Sequence, residues 1–71
     1  MHMRNSLRDT RLKRNLTQES LAAMVGVTRQ TIIAVEKEKF VPSVRLALEL
    51  AQALKVRIQD LFWLESRRGG K

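Results

Sequence analysis

The sequence predicts an all-α fold, a compact bundle of five helices, on three observations. Apolar residues recur at spacings of three and four, and we find no stretch in which apolar and polar residues alternate. Residues typical of helix starts and helix ends divide the chain into short segments of helical length. The chain has 71 residues and no cysteine, so a small domain must be stabilised by close helix packing or by association with a second copy.

The first two helices are predicted from their boundary residues. The first runs over residues 5–14, and Asn15 tolerates the left-handed conformation that often ends a helix. The second begins after Thr17, whose hydroxyl can accept a hydrogen bond from the first turn. It ends at Gly26, because glycine allows a positive φ at no steric cost.

The third helix is predicted from Arg29 to Lys37, with Thr28 as its N-cap and with Ile32 and Val35 directed inward. Only about three residues separate it from the second helix, which is too few for a wide loop. The two helices must therefore cross steeply, as they do in a helix-turn-helix.

The last two helices carry most of the apolar residues. Pro42 and the N-cap Ser43 precede a fourth helix over residues 44–54. That helix is apolar on so many sides that we expect it to be buried on more than one. A short fifth helix is predicted over residues 58–64.

We expect one domain over residues 1–66 and a basic, flexible tail over residues 67–71, and we assign no structural role to Met1 and His2. The longest uncharged apolar stretch is much shorter than the ~18 residues of a membrane span. The N-terminus also lacks the apolar segment of a signal peptide. The expected location is therefore the cytoplasm.

The charge balance points to a polyanionic partner. Fourteen Lys and Arg residues face seven Asp and Glu residues, which gives a net charge of +7. Such a surface attracts nucleic acid or an anionic membrane. A membrane-surface peptide would carry its basic residues on one amphipathic helix, whereas here they are spread over several segments.

Catalysis and metal binding are not expected. The one histidine is His2, there is no cysteine, and the carboxylates are scattered without a paired motif or a glycine-rich loop. No nucleophile–base pair or metal site can be assembled from such a set. We therefore expect no enzyme activity, no cofactor, no metal and no small-molecule ligand.

Four runs of residues identify a family resemblance: TQESLAAMVGVTRQTI over 17–32, PSV over 42–44, LAQAL over 50–54 and DLF over 60–62. In this combination and spacing they resemble the helix-turn-helix domain of the lambdoid phage repressor and Cro proteins, also called the Xre-like family. The likeness extends from about residue 7 to residue 62 and implies a bacterial, archaeal or phage origin. It implies a five-helix bundle of the phage-repressor type, whose third helix enters the major groove of double-stranded DNA.

The resemblance assigns base reading to the start of the third helix. Arg29 can bind guanine bidentately, and Gln30 can bind adenine in the same way. Thr28 is expected in the groove, Thr31 at a phosphate or a thymine methyl group, and the small Ala34 either meets a thymine methyl group or merely allows close approach.

Contacts to the DNA backbone are expected on both sides of this helix. The resemblance places Gln18, the first residue of the second helix, on a phosphate, with its amide bridging to a neighbouring side chain. Lys37 and Lys39 are expected to follow the backbone after the third helix. Further candidates are Arg4, Arg8 and Lys13, all assigned to the first helix, and Arg45.

An ion pair between Arg11 and Glu36 is implied by the same resemblance, and we interpret it as structural. The sequence also departs from the family pattern at two turns, where Glu38 and Lys55 occupy positions that usually hold glycine. Either Glu38 adopts a strained conformation or its turn is reshaped.

One recognition helix reads too few base pairs for useful specificity, so we expect a homodimer. Its apolar surface is predicted to include Leu46, Leu48, Val56, Trp63 and Leu64. The predicted function is a sequence-specific, repressor-like transcriptional regulator. The alternative is an antitoxin-type interaction module that also binds DNA.

Overall fold

The computed structural model describes residues 2–65. The elements in this range are β1 (His2–Asn5), α1 (Leu7–Lys13), α2 (Gln18–Val25), α3 (Arg29–Glu36), α4 (Val44–Leu54), α5 (Ile58–Leu61) and β2 (Phe62–Glu65). The five predicted helices are confirmed. The tail predicted over residues 67–71 lies outside the described residues. Between residues 2 and 65, no helix is long and apolar enough to cross a membrane.

A two-stranded antiparallel sheet joins the two ends of the described chain, with Asn5 opposite Phe62. The prediction of the fifth helix was therefore wrong in its extent: α5 ends at Leu61, and Phe62 adopts extended backbone angles (φ −133°, ψ 138°). Residues 61–64 are apolar throughout, and a continuous apolar run does not distinguish helix from strand. Pairing with β1, from the opposite end of the sequence, decides the conformation.

The start of the first helix is also corrected, because the chain enters α1 from a strand. Asn5 belongs to β1, and its side chain accepts a hydrogen bond from the Leu7 backbone N–H at 3.0 Å. The same amide donates to the Val35 carbonyl at 2.9 Å. Asn5 therefore connects the sheet to both α1 and α3. His2, to which the sequence analysis assigned no role, lies in β1.

The three predicted N-caps are confirmed. Thr17, Thr28 and Ser43 each have an extended backbone, and each side chain accepts a hydrogen bond from the backbone N–H three residues later, at 2.9, 3.3 and 3.1 Å respectively. Each such cap contributes about 1 kcal/mol to helix stability. The starts of α2, α3 and α4 are therefore set by local sequence.

Among residues 2–65, four adopt the left-handed conformation at turns. Asn15 (φ 58°) and Gly26 (φ 73°) do so as predicted. Glu38 (φ 62°) and Lys55 (φ 60°) adopt it where the family usually has glycine, so the strained alternative predicted for Glu38 is the one observed. A non-glycine residue in this region costs on the order of 1 kcal/mol, which the surrounding structure must offset.

The core is formed around α4, which packs against α2 and α5. Ile32 and Val35 are buried, as predicted for the inner face of α3. Arg14 closes the end of α4, because its guanidinium donates to the carbonyls of Leu54 at 2.8 Å and Lys55 at 3.4 Å. The buried apolar residues are Leu7, Leu21, Ala22, Ile32, Val35, Leu46, Ala47, Leu50, Ala51, Leu54, Leu61 and Phe62.

Candidate nucleic-acid interface

The turn between α2 and α3 sets the angle of the candidate recognition helix. Gly26 ends α2 in the left-handed conformation, and the Val27 N–H bonds back to the Ala22 carbonyl at 3.0 Å. Thr28 then caps α3 directly. Buried residues of the two helices pack together across this turn, so α3 is held against α2 with its opposite face free.

The free face of α3 carries the side chains that the sequence analysis selected. Thr28, Arg29 and Gln30 are exposed, and Thr31 and Ala34 are half-buried. Gln30, Ala34 and Lys37 follow at intervals of four and three residues, so they share one face of the helix and its C-cap. Protruding polar groups on the first turn, with a small residue one turn later, form a surface that can approach another molecule closely.

A buried ion pair fixes the other end of α3. Arg11 Nε donates to Glu36 Oε2 at 2.7 Å, and a second guanidinium nitrogen lies 3.4 Å from Glu36 Oε1. The two side chains are 7% and 5% exposed. Arg11 also donates to the Leu16 carbonyl at 2.8 Å, so the guanidinium is bonded on both sides. This arrangement ties α1 to α3 at the pair that the resemblance implied.

Gln18 extends this network to the surface. Its Nε2 donates to Glu36 Oε1 at 3.1 Å, and its Oε1 accepts from Arg29 Nε at 3.4 Å. An amide nitrogen carries two N–H groups, and among residues 2–65 only the bond to Glu36 uses one of them. The second N–H can donate to a ligand at the N-terminus of α2. The bond to Gln18 also draws Arg29 toward α2, which the sequence did not indicate.

A cleft of about 500 Å³ opens between α1 and the start of α2. Arg8, Gln18 and Arg29 line it, together with Thr17, the N-cap of α2. The lining also includes Arg11, which is paired with Glu36, and the carboxylate of Glu19. The guanidinium groups of Arg8 and Arg29 and the N-terminus of α2 still leave an excess of positive charge, which suits an anionic group.

The loop after α3 is held by side chains of β1. Arg4 lies in β1 and not in the first helix, which corrects its predicted place. Its guanidinium donates to Glu38 Oε2 at 3.0 Å and to Glu65 Oε1 at 2.6 Å, and His2 Nε2 lies 3.0 Å from Glu38 Oε1. Hydrogen bonds from His2 and then Arg4 hold the pKa of Glu38 below its usual range. Lys37 and Lys39, on either side of Glu38, are exposed.

Sequence reasoning missed this cluster because its members come from three distant segments. The one available signal was Glu38 at a turn position that favours glycine. A carboxylate kept in a left-handed turn needs compensating contacts, and β1 and β2 provide them.

An apolar groove of about 330 Å³ is lined by residues of both strands, α5 and the start of α4, together with Pro42 just before α4. Trp63 is 42% exposed and Leu64 60% exposed there. Leu46 was predicted to lie on an exposed dimer surface, and that prediction is wrong: it is 8% exposed and packs in the core. Val56 is half-buried against the same core.

Comparisons with known proteins agree with this architecture. A family model described as helix-turn-helix matches residues 7–61. An HTH-type transcriptional regulator of Bacillus subtilis is 44% identical over 63 residues, covering 89% of this chain and 96% of its own length. A regulator of the same description from Methanocaldococcus jannaschii is 51% identical over 63 residues, with the same coverage of both chains.

Solved structures show the same fold. The restriction-modification controller protein C.AhdI from Aeromonas hydrophila superposes with a TM-score of 0.72 at 33% identity, covering 76% of this chain and 78% of its own. A DNA-binding protein from Bacteroides fragilis, so described on a provisional basis, superposes with a TM-score of 0.79 at 24% identity, covering 86% and 98%, and this likeness concerns the fold alone. With its motif, fold and relatives in agreement, the chain belongs to the Xre-like helix-turn-helix family.

Proposed function

We propose that this protein is a sequence-specific, double-stranded DNA-binding transcriptional regulator that reads the major groove with α3 as a homodimer. The observation that carries the proposal is the exposed first turn of α3. The helix is fixed at its start by the Thr28 cap and at its end by the buried ion pair of Glu36. Relatives that cover nearly all of the chain are named transcriptional regulators, which supports the same function.

Base reading falls to Arg29 and Gln30. Both are exposed at the start of α3, where helix-turn-helix proteins contact base edges. Gln30 is the better candidate, because an amide can bond adenine bidentately and no protein partner within residues 2–65 occupies it. Arg29 donates to Gln18 through Nε at 3.4 Å, which leaves its terminal nitrogens able to bind guanine or, beside the α2 N-terminus, a phosphate. Thr28, Thr31 and Ala34 complete this surface.

Phosphate contacts would flank the reading helix on two sides. The free N–H of Gln18 and the basic cleft beside it suit one backbone strand. Lys37 and Lys39 suit the other, at the end of α3. Both contacts fix the orientation of α3 without reading sequence.

A second copy is the occupant that we propose for the apolar groove. Two recognition helices about 34 Å apart would double the number of base pairs read, as operator recognition requires. Trp63, Leu64 and Val44 leave large apolar surfaces exposed around this groove, and Val44 is 74% exposed. Repression is the mode of regulation that we propose, because it needs only occupation of the operator.

Selection from a random DNA pool tests the function. We expect an enriched inverted repeat, whose half-site spacing reports the distance between the two α3 helices. Failure to enrich any sequence would overturn sequence-specific recognition.

The variant Gln30→Ala tests the reading residue. We expect it to weaken binding to the selected site by about 1–3 kcal/mol, roughly 5- to 150-fold, and to leave random DNA nearly unaffected. Gln52→Ala, which alters an exposed glutamine of α4, is the matched control and should bind as the parent does. Equal losses on selected and random DNA would refute base reading by Gln30.

A further inference from the structure

Glu38 lies within the stretch to which the proposed function assigns phosphate contacts. It stands between Lys37 and Lys39, directly after α3, and its backbone is left-handed. A carboxylate at this place would repel DNA phosphates if it were left unpaired, since like charges at a surface repel each other over about one Debye length of 10 Å. DNA binding by this loop therefore requires a positive partner for the Glu38 carboxylate.

The sheet supplies the compensation. Glu38 is bonded through both carboxylate oxygens, to His2 at 3.0 Å and to Arg4 at 3.0 Å. Arg4 is held in turn by Glu65 of β2 at 2.6 Å. The carboxylate is thus directed toward the strands and carries a guanidinium as its counter-charge.

The strand that carries Arg4 is itself anchored to the recognition helix. Asn5, the next residue, donates to the Val35 carbonyl near the end of α3 at 2.9 Å. This bond keeps β1 beside the C-terminal end of α3, so Arg4 reaches Glu38 from a fixed backbone. The contact between Arg4 and Glu38 is therefore supported by the backbone position of β1 and not by the Arg4 side chain alone.

We propose that Arg4 is a positioning residue of the DNA-binding surface, which supplies a counter-charge to Glu38, shared with Glu65, and holds the Glu38 carboxylate on the sheet so that Lys37 and Lys39 face phosphates without an unpaired carboxylate between them. The inference rests on the proposed function. It differs from a direct phosphate contact by Arg4, because the guanidinium acts here through Glu38.

A double-mutant cycle separates these roles. Arg4→Gln, Glu38→Gln and the double variant are compared for affinity to the selected site and to random duplex at low salt. Arg4→Gln is expected to weaken binding to both DNAs by about threefold to tenfold, because it exposes the Glu38 charge. Glu38→Gln alone is expected to bind at least as tightly as the parent. The affinity of the double variant for both DNAs is expected to lie within about twofold of that of the parent.

Three controls accompany the cycle. Arg57→Gln removes the same charge from an exposed pair with Asp60 at the start of α5, and should change affinity by less than about twofold. Glu65→Gln leaves Arg4 bonded to Glu38 alone and should bind DNA at least as tightly as the parent, because it removes the second carboxylate that shares the guanidinium. Urea midpoints of all variants report whether a loss of affinity reflects unfolding.

The outcomes are distinct. If the double variant stays as weak as Arg4→Gln while remaining folded, Arg4 contacts DNA directly or acts only as a tether, and the inference is overturned. If Arg57→Gln loses as much affinity as Arg4→Gln, only net charge matters and the inference also fails. If the parent protein enriches no DNA sequence and binds no duplex, the proposed function fails first, and this inference falls with it.

Discussion

The buried pair between Arg11 and Glu36 offers the sharpest test of how the recognition helix is held. Substitution of Glu36 by glutamine removes the negative charge and keeps the volume of the side chain. The carboxylate accepts hydrogen bonds from Arg11 at 2.7 and 3.4 Å and from Gln18 at 3.1 Å. An amide has one oxygen, so one of these donors would face the N–H₂ group of the new side chain.

The expected loss follows from the burial of both partners. Without the Glu36 charge, the Arg11 guanidinium at 7% side-chain exposure loses its carboxylate counter-charge and keeps the Leu16 carbonyl at 2.8 Å and, at most, the single amide oxygen of the new side chain. Breaking a buried pair on one side costs about 3–5 kcal/mol. A chain of this length has a total stability of about 4–11 kcal/mol at typical values per residue. Glu36→Gln should therefore lose roughly half of the free energy of unfolding.

Urea denaturation followed by far-UV circular dichroism measures this loss, at fixed protein concentration and without DNA. The matched control is Glu49→Gln, which breaks an exposed pair with Arg45 at 3.2 Å and should cost no more than about 0.5 kcal/mol. The double variant Arg11→Met/Glu36→Leu should regain most of the stability, because it leaves no buried charge unpaired. A Glu36→Gln variant within about 1 kcal/mol of the parent would refute the reasoning.

Three further predictions concern the dimer, a strained turn and the Glu38 carboxylate. Trp63→Ala should weaken self-association by about 2 kcal/mol or more, roughly 30-fold, in sedimentation equilibrium, whereas Leu12→Ala on α1 should leave it unchanged; an unaltered dimer rejects the assignment of the groove. Lys55→Gly should raise the free energy of unfolding by about 0.5–1 kcal/mol, because it relieves a positive φ, and a lower urea midpoint would contradict this. Because the folded-state pKa of Glu38 lies below its usual value, its contribution is present above the usual pKa and is lost as the pH falls through the lowered one. The stability difference between the parent and Glu38→Gln should therefore shrink as the pH falls below about 4.5, the usual pKa of a glutamate, and a difference that stays constant on acidification would exclude the contribution.

Helix starts and stops could be predicted because each depends on a few neighbouring residues. Thr17, Thr28 and Ser43 cap helices through bonds to residues three positions away, and Gly26 ends α2 by its own conformational freedom. The positions of Arg29 and Gln30 on the exposed first turn of α3 follow from the same local boundaries.

Other features depended on contacts between distant segments. The apolar run over residues 61–64 becomes partly a strand because β1 is available to pair with it. The link from Gln18 to Arg29 likewise joins side chains on two helices.

Leu46 is a different case, because Arg45, Glu49 and Gln52 recur at spacings of four and three and already mark the outer face of α4. Leu46 lies on the opposite, buried face, and its assignment to the dimer surface overlooked that spacing.

For this protein, local sequence determined the helices, their caps and the residues presented by α3, since those properties arise from backbone conformation and hydrogen bonds within a few residues. Tertiary structure decided the sheet and the pairing of Glu38 with Arg4 and His2. Each of these requires two segments far apart in sequence to meet, and neither segment carries that information alone. The left-handed turn at Glu38 depends on both local and tertiary structure. It follows directly after α3, and the folded sheet provides the partners of its carboxylate.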